Sequence, residues 1–569
     1  MRLALALSLL ACGAAAASAQ PAVPGYSDWA EFRAQVARLD TSDLAAVTTL
    51  DTTLGGREIF AIAVGTSPLD AKPAIAVFGS VHAPHLLGSE LSLRLARLLV
   101  EKAAVDPEVK KLLERVTFYI VPRPNPDASE AFFRKPWIER EGNARWTNDD
   151  RDGATGEDGP EDLDGDGSIT LLRVADESGR FVPHPADPRI LIEVNAREDE
   201  RGRWSLQPEG SDNDQDGAWN EDASGGVAFN RNFPFQYPYF QKGAGAHPVS
   251  EAESRAVADF LFDHPNIAAV FAFTPEDNLM NPWQPNPQAE GERIKSTLQS
   301  PDAPYHHFVA RIYRETLGAA DPPAAPDGSG SISEWAYFQF GRWSFAARGW
   351  WIPKVPPPGK KPEEKPAEGA QPPVNPAPGT PIKPEDARGQ DQINALRWLA
   401  REKIDGFAEW KPVQHPDFPG RVVEVGGVRP FVLLNPPVGE LDPLAEKHFA
   451  FLRRLASLLP DVRVHETRVE AMGGGVWRLT AVFANRGYLP SMPAMGKITG
   501  APHPLWARLE LPAGASLVTG NARRRIDPLE GNGGKTDISW VLRAPAGARL
   551  AVEIGSPATG RDRAEVEVK

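Results

Sequence analysis

The residues of this chain whose types and spacing bear on chemistry first meet in the stretch Gly79-Ser80-Val81-His82-Ala83-Pro84-His85. Two imidazoles at i and i+3 in a loop can hold one metal ion through ring nitrogens, and such pairs also serve purely structural roles. A second chemistry is written in three acidic repeats, which run over 148–153, 162–167 and 212–217. Carboxylates at alternate positions with glycine following converge on one hard cation, and calcium takes such oxygen ligands. The glutamate that closes an EF-hand loop is missing from all three, because Gly159, Arg173 and Ala223 stand in its place. The expectation is therefore loop-type calcium sites at Asp162, Asp164, Asp166 and Asp212, Asp214, Asp216, with a solvated acidic loop as the alternative. Glu276, Asp277, His306 and His307 are further candidate ligands, although the His306-His307 dipeptide reads better as a half-buried helix face.

These residues need elements to position them. Residues 74–78 form a short apolar run suited to a strand buried on both faces, and Leu91, Leu95, Leu98 and Leu99 then recur at helical spacing. His82 and His85 thus fall in the loop at the carboxyl end of a strand, where α/β sheets place their ligands. A helix over 26–39, strands over 59–64 and 116–121, and a helix over 251–263 complete a mixed sheet flanked by helices. Residues 353–384 are rich in Pro, Lys, Glu and Gly, a composition that cannot pack a core and predicts an extended surface excursion. From Trp410 onward, short β-rich runs separated by Gly, Pro and Asn predict a small β-sandwich. The reading is an α/β mixed-sheet domain over 20–410, with an acidic insertion at 146–228 and a Pro-rich loop at 353–386, followed by a β-rich domain over 411–569.

Residues 1–19 carry one arginine, an apolar run and a closing Ala17-Ser18-Ala19, the pattern of a secretory signal peptide. The only cysteine, Cys12, lies inside this leader in a context resembling a bacterial lipoprotein box, which leaves lipid anchoring as the alternative to secretion or a periplasmic location. Beyond the leader no stretch is apolar enough to span a membrane. A net charge of −14 argues against nucleic acid or an anionic membrane surface as a partner.

Further motifs follow the histidine loop: Pro124-Asn125-Pro126-Asp127, Arg134-Lys135, Asn230-Arg231-Asn232-Phe233, Ser250-Glu251-Ala252-Glu253 and Ser331-Ile332-Ser333-Glu334-Trp335-Ala336-Tyr337. In this order and spacing the set resembles the zinc carboxypeptidases of the carboxypeptidase A type, over roughly residues 25–410. The resemblance implies a zinc-carboxypeptidase-like fold in which zinc is held by a His-x-x-Glu loop and a later histidine. It also implies a glutamate that activates the metal-bound water and an Asn-Arg pair that grips the substrate's terminal carboxylate. His82 matches the first ligand, while His85 stands where the glutamate ligand belongs. The later histidine falls at Phe273 or Thr274, and the general base falls at Arg348, through alignment of Ser344-Phe345. A guanidinium cannot take a proton from water. On the substrate side Arg134 matches the oxyanion arginine, and Asn230 and Arg231 match the carboxylate clamp.

The reading that follows is a secreted zinc carboxypeptidase family protein that recognises peptide or protein C-termini while hydrolysing them weakly or not at all, a pseudoenzyme. Two alternatives stand beside it. One is an active metallocarboxypeptidase with a rearranged site built on His82, His85, Asp277 and Glu276; the other is a calcium-dependent structural or adhesion module.

Overall fold

The computed structural model describes residues 25–146, 159–195, 200–213, 217, 226–356 and 388–569. The signal-peptide and lipoprotein readings, the first acidic repeat, Asp214, Asp216 and most of the Pro-rich excursion lie outside the described residues.

Strands are numbered in chain order: β1 Ala45–Thr52, β2 Glu58–Val64, β3 Ala74–Phe78, β4 Thr117–Val121, β5 Leu171–Ala175, β6 Phe181–His184, β7 Asp187–Glu193, β8 Trp204–Pro208, β9 Ile267–Phe273 and β10 Trp343–Ala347. They are followed by β11 Phe407–Pro412, β12 Val423–Val428, β13 Val462–Gly473, β14 Val476–Asn485, β15 Leu505–Glu510, β16 Ser516–Thr519, β17 Arg523–Ile526, β18 Lys535–Arg543, β19 Arg549–Ser556 and β20 Gly560–Glu567.

The central sheet has the order β1-β2-β4-β3-β9-β10, with β4, β3, β9 and β10 mutually parallel and β1 and β2 antiparallel. Every residue of β3, β4, β9 and β10 is buried, the signature of parallel strands covered on both faces. Alternation along the strands divides the core in two. Ile75, Val77, Phe118 and Ile120 face the helices Leu87–Ala103, Ala303–Leu317 and Leu441–Leu458. Ala76, Phe78, Tyr119 and Val121 face Ala252–Asp263 and Ile332–Phe338. The carboxyl ends of four parallel strands therefore open on one edge of the sheet, which is the edge where the two histidines emerge.

A second six-stranded sheet, β11-β12-β5-β8-β6-β7, joins the acidic insertion to the segment after the Pro-rich excursion. The sandwich at the end of the chain pairs β13-β14-β18-β16 with β17-β15-β19-β20 around Leu479, Phe483, Trp540, Leu509, Val552 and Ile554. The sequence-drawn boundary at 410/411 falls within β11, whose partner β12 pairs in turn with β5 of the insertion. The helix Leu441–Leu458, assigned from sequence to the terminal domain, packs instead against Leu87–Ala103 and Ala303–Leu317. Its apolar stripe of Leu444, Phe449, Leu452 and Leu455 is what the first domain needs to close its core. Among the described residues no helix is long and apolar enough to cross a membrane.

Candidate functional site

The histidine loop is held by backbone contacts too close for side chains. A Cβ at Gly79 would lie 2.4 Å from the Pro122 carbonyl and 2.5 Å from that of Gly88, and a Cβ at Gly88 would lie 2.5 Å from the Ser80 nitrogen. Between these glycines Ser80 adopts a left-handed φ of 41°. Its hydroxyl donates to the His85 carbonyl at 2.9 Å and accepts from the Ser89 amide at 2.8 Å, closing the loop onto the helix that follows. Asn435 reaches in from far along the chain, donating to the Pro84 carbonyl at 2.9 Å and accepting from the Leu87 amide at 3.0 Å.

His82 is half-buried, with its Nδ1 3.5 Å from the Glu141 carboxylate. His85 is fully buried and its Nδ1 has no hydrogen-bond partner. Burial, then the neighbouring His82 and Arg348, push its imidazole down to about 3. Arg348 leaves β10 at the same sheet edge, half-buried and close enough to His85 to contribute to that shift, and its guanidinium donates to the Pro275 carbonyl at 3.4 Å and the Ala324 carbonyl at 3.5 Å. Its backbone amide donates to Asp277 at 3.0 Å.

Asp277 is committed elsewhere. Its carboxylate accepts the amides of Leu279 at 2.8 Å, Met280 at 2.7 Å and Arg348, stitching the turn after β9 to the end of β10. Burial pushes its carboxyl up, and the three amides oppose that shift. At the positions that the motif spacing assigns to the third ligand, Phe273 is a fully buried phenylalanine and Thr274 bonds Glu276 through its hydroxyl. Asn230 donates to Glu276 at 3.0 Å and accepts the Ile332 amide at 3.1 Å, so it fastens the β9 turn to the helix Ile332–Phe338. Arg231 donates to Gln241 at 2.8 Å and keeps its Nε buried without a partner. Arg134 is exposed, and among the described residues it forms no side-chain hydrogen bond or ion pair with the histidine loop.

Sequence reasoning missed Glu334, although it quoted the motif that contains it. A serine three residues ahead of a glutamate reads as a helix cap, and Ser331 does cap the helix by accepting the Glu334 amide. The carboxylate itself lies against Gly328, where a Cβ would come within 2.4 Å of Oε1, and its buried Oε2 has no partner. Burial, Asp327 and Glu276 raise this carboxyl to about 7.

A profile of the zinc carboxypeptidase family matches residues 33–162, and one for a domain of unknown function, DUF8731, matches residues 461–567. Carboxypeptidase M of Mus musculus is 30% identical over 98 residues, covering 17% of this chain and 22% of the relative. Carboxypeptidase SOL1 of Arabidopsis thaliana is 30% identical over 88 residues, covering 15% and 18%. The chain thus spans about a fifth of the length of these curated relatives. Among solved structures, carboxypeptidase A from Helicoverpa armigera is 13% identical, with 56% of this chain and 63% of that chain covered at a TM-score of 0.36. Thrombin-activatable fibrinolysis inhibitor is 13% identical, with 76% and 74% covered at a TM-score of 0.38. The profile and the curated relatives show that residues 33–162 are similar to part of the zinc carboxypeptidase family.

That resemblance implies zinc, and the residues present do not fit it. A zinc centre needs three protein ligands around one point. Here a buried apolar side chain, Phe273, stands where the motif spacing puts the third ligand, Asp277 spends its oxygens on amides, and the positive charge of Arg348 acts on His85. Among the described residues the one group of three or more His, Cys, Asp or Glu side chains close enough to share an ion is Asp162, Asp164 and Asp166. Those carboxylates already have partners. Asp162 accepts the amides of Asp166 at 3.1 Å and Gly167 at 2.7 Å, Asp164 pairs with Lys411 at 2.9 Å, and Asp166 pairs with Arg429 at 2.7 Å. Asp212 accepts the Gly217 amide at 3.0 Å.

Proposed function

We propose that the protein binds the C-terminal carboxylate of a peptide or protein in the crevice at the carboxyl ends of β3, β9 and β10, and that it does not hydrolyse the peptide bond. The observation that carries this reading is a half-buried guanidinium, Arg348, at the end of β10 on the edge where the histidine loop emerges. At pH 7 a guanidinium is an anion partner with bidentate geometry and is no general base. Arg231, with its buried unpartnered Nε, supplies a second guanidinium along the same segment of family motifs. Secretion or export to the periplasm belongs to the same reading.

The test is elemental analysis of the purified protein together with a C-terminal release assay and a titration with peptides bearing free or amidated C-termini. Binding of the free acid alone, with no release and no stoichiometric zinc, is the expected result. Stoichiometric zinc with release would overturn it in favour of a rearranged peptidase.

The cluster of Asp162, Asp164 and Asp166 favours a second reading, a calcium-stabilised structural module. A calcium ion there would compete with Lys411 and Arg429 for two of the three carboxylates. A rise in melting temperature on adding calcium, reversed by a chelator, would support it.

A further inference from the structure

The terminal sandwich differs from the remainder of the chain in charge. Residues 461–569 hold 15 Lys and Arg against 11 Asp and Glu, whereas the whole chain holds 62 against 76. A basic terminal domain on an acidic protein is a charge asymmetry that points to a separate partner.

The basic residues are gathered by the register of one sheet. Trp506 on β15 stands opposite Arg525 on β17 and Gly555 on β19, and Gly555 stands opposite Arg561 on β20. In the next outward-facing row, Arg508 stands opposite Arg523 and Glu553, and Glu553 opposite Arg563. Directly opposed residues share a face, and the alternate residues Leu505, Ala507, Leu509, Val552 and Ile554 are buried in the sandwich core. That face therefore carries five arginines around the half-buried Trp506, with Arg549 opposite Glu567 and Glu565 opposite Ala551 further along it.

Two carboxylates answer them only in part. Glu553 lies 3.6 Å from Arg561, and Glu510 lies 3.2 Å from Arg563 and 3.9 Å from Arg508. Among the described residues no carboxylate lies within 4 Å of Arg523 or Arg525, and both are exposed. The Arg523 guanidinium stacks over the Trp506 ring at 4.0 Å. At Gly555 a Cβ would meet the Arg561 stem at 3.0 Å, so that stem lies across the glycine next to the indole.

We propose that this face binds an acidic polysaccharide. Arg525 and Arg561 stand three strand spacings apart, roughly 14 Å, so a single small anion cannot engage both and a polymer with repeated charges can. Guanidinium groups take carboxylate or sulfate in bidentate fashion, and the indole rim between them offers an apolar edge to a sugar ring. Single-stranded nucleic acid fits less well, because Arg523 already covers the indole face on which a base would stack.

The experiment titrates the full chain with heparin and with polygalacturonate at low salt, using single-stranded DNA of matched charge as the comparison. The expected result is polysaccharide binding that weakens as salt rises and drops at least tenfold in the double variant Arg523→Ala/Arg525→Ala. Arg478→Ala/Arg543→Ala, which removes equal charge from the opposite sheet of the sandwich, is expected to bind as the parent does. Four outcomes would overturn the proposal: no binding to either polysaccharide, equal loss in both double variants, DNA binding as tight as polysaccharide binding, or self-association of the Arg523/Arg525 variant with binding unchanged. The last would mean that the arginines only guard an edge strand against pairing.

Discussion

Glu334 shows how much one side chain can contribute. Its carboxyl is raised to about 7 by burial and by neighbouring carboxylates, so the folded state holds a proton there that the unfolded chain releases at its ordinary pKa. Stability from this group is full below the unfolded value and is lost as pH rises through about 7. Glu334→Gln is therefore expected to stabilise the protein by about 1–2 kcal/mol more at pH 8 than at pH 5, read as the difference in denaturant midpoints. An equal effect at both pH values would show that Glu334 is ionised throughout. Arg348 and Phe273 make the complementary point: their identities are readable in the sequence, yet only the fold brings the charge of Arg348 near enough to act on His85.

Arg123 binds several elements together. Fully buried at the end of β4, it donates to the Ser27 carbonyl at 2.9 Å, to the Ser89 hydroxyl at 3.2 Å and to Glu130 at 3.3 Å, and it lies 4.3 Å from the Phe32 ring. It thus joins the first helix, the helix after the histidine loop and the turn after β4. Arg123→Met leaves Glu130 without its partner, and breaking a buried pair from one side costs about 3–5 kcal/mol. Chemical denaturation should show a loss of that size, and a loss below about 1 kcal/mol would mean that solvent replaces the arginine. Strands buried on both faces were legible as elements because an apolar run of five residues has few other uses. Contacts such as Arg123 with Ser27 were not, since nothing local encodes them.

At the scale of the whole molecule, acid sensitivity comes from buried histidines. His306 stacks on Trp283 at 5.5 Å with neither ring nitrogen in a hydrogen bond of standard geometry, and burial pushes it down to about 3. His448 is pushed down to about 4, again chiefly by burial. Both are held neutral in the fold, so their contribution is full above the ordinary histidine value and is lost as pH falls toward about 4 and about 3. Thermal melts should therefore show a falling melting temperature between pH 7 and pH 4, and His306→Phe, which keeps the stacking, should lessen that fall. A parallel slope in parent and variant would remove His306 from the account. A chain ended at residue 410 should fail to give a soluble monomer, because it lacks Leu441–Leu458 and β12. Recovery of a stable monomer from that truncation would show that the helix is dispensable to the first core.

The sequence by itself determined the resemblance to the zinc carboxypeptidases, the buried central strands and the histidine loop, because those depend on local periodicity and on which residue type occupies a motif position. It also placed five of the eight strands of the terminal sandwich and missed β16, β17 and β20, which are short or rich in charged residues. Tertiary structure alone decided where the first domain is completed, since β11, β12 and the helix Leu441–Leu458 look like parts of any β-rich or helical unit until their partners β5 and Leu87–Ala103 are in place. It also decided that Asp277 serves amides, that Asp164 and Asp166 meet Lys411 and Arg429, and that five arginines share one sheet face. These pairings span tens to hundreds of residues. The partners are brought together only when the sheets assemble, and no local pattern records them.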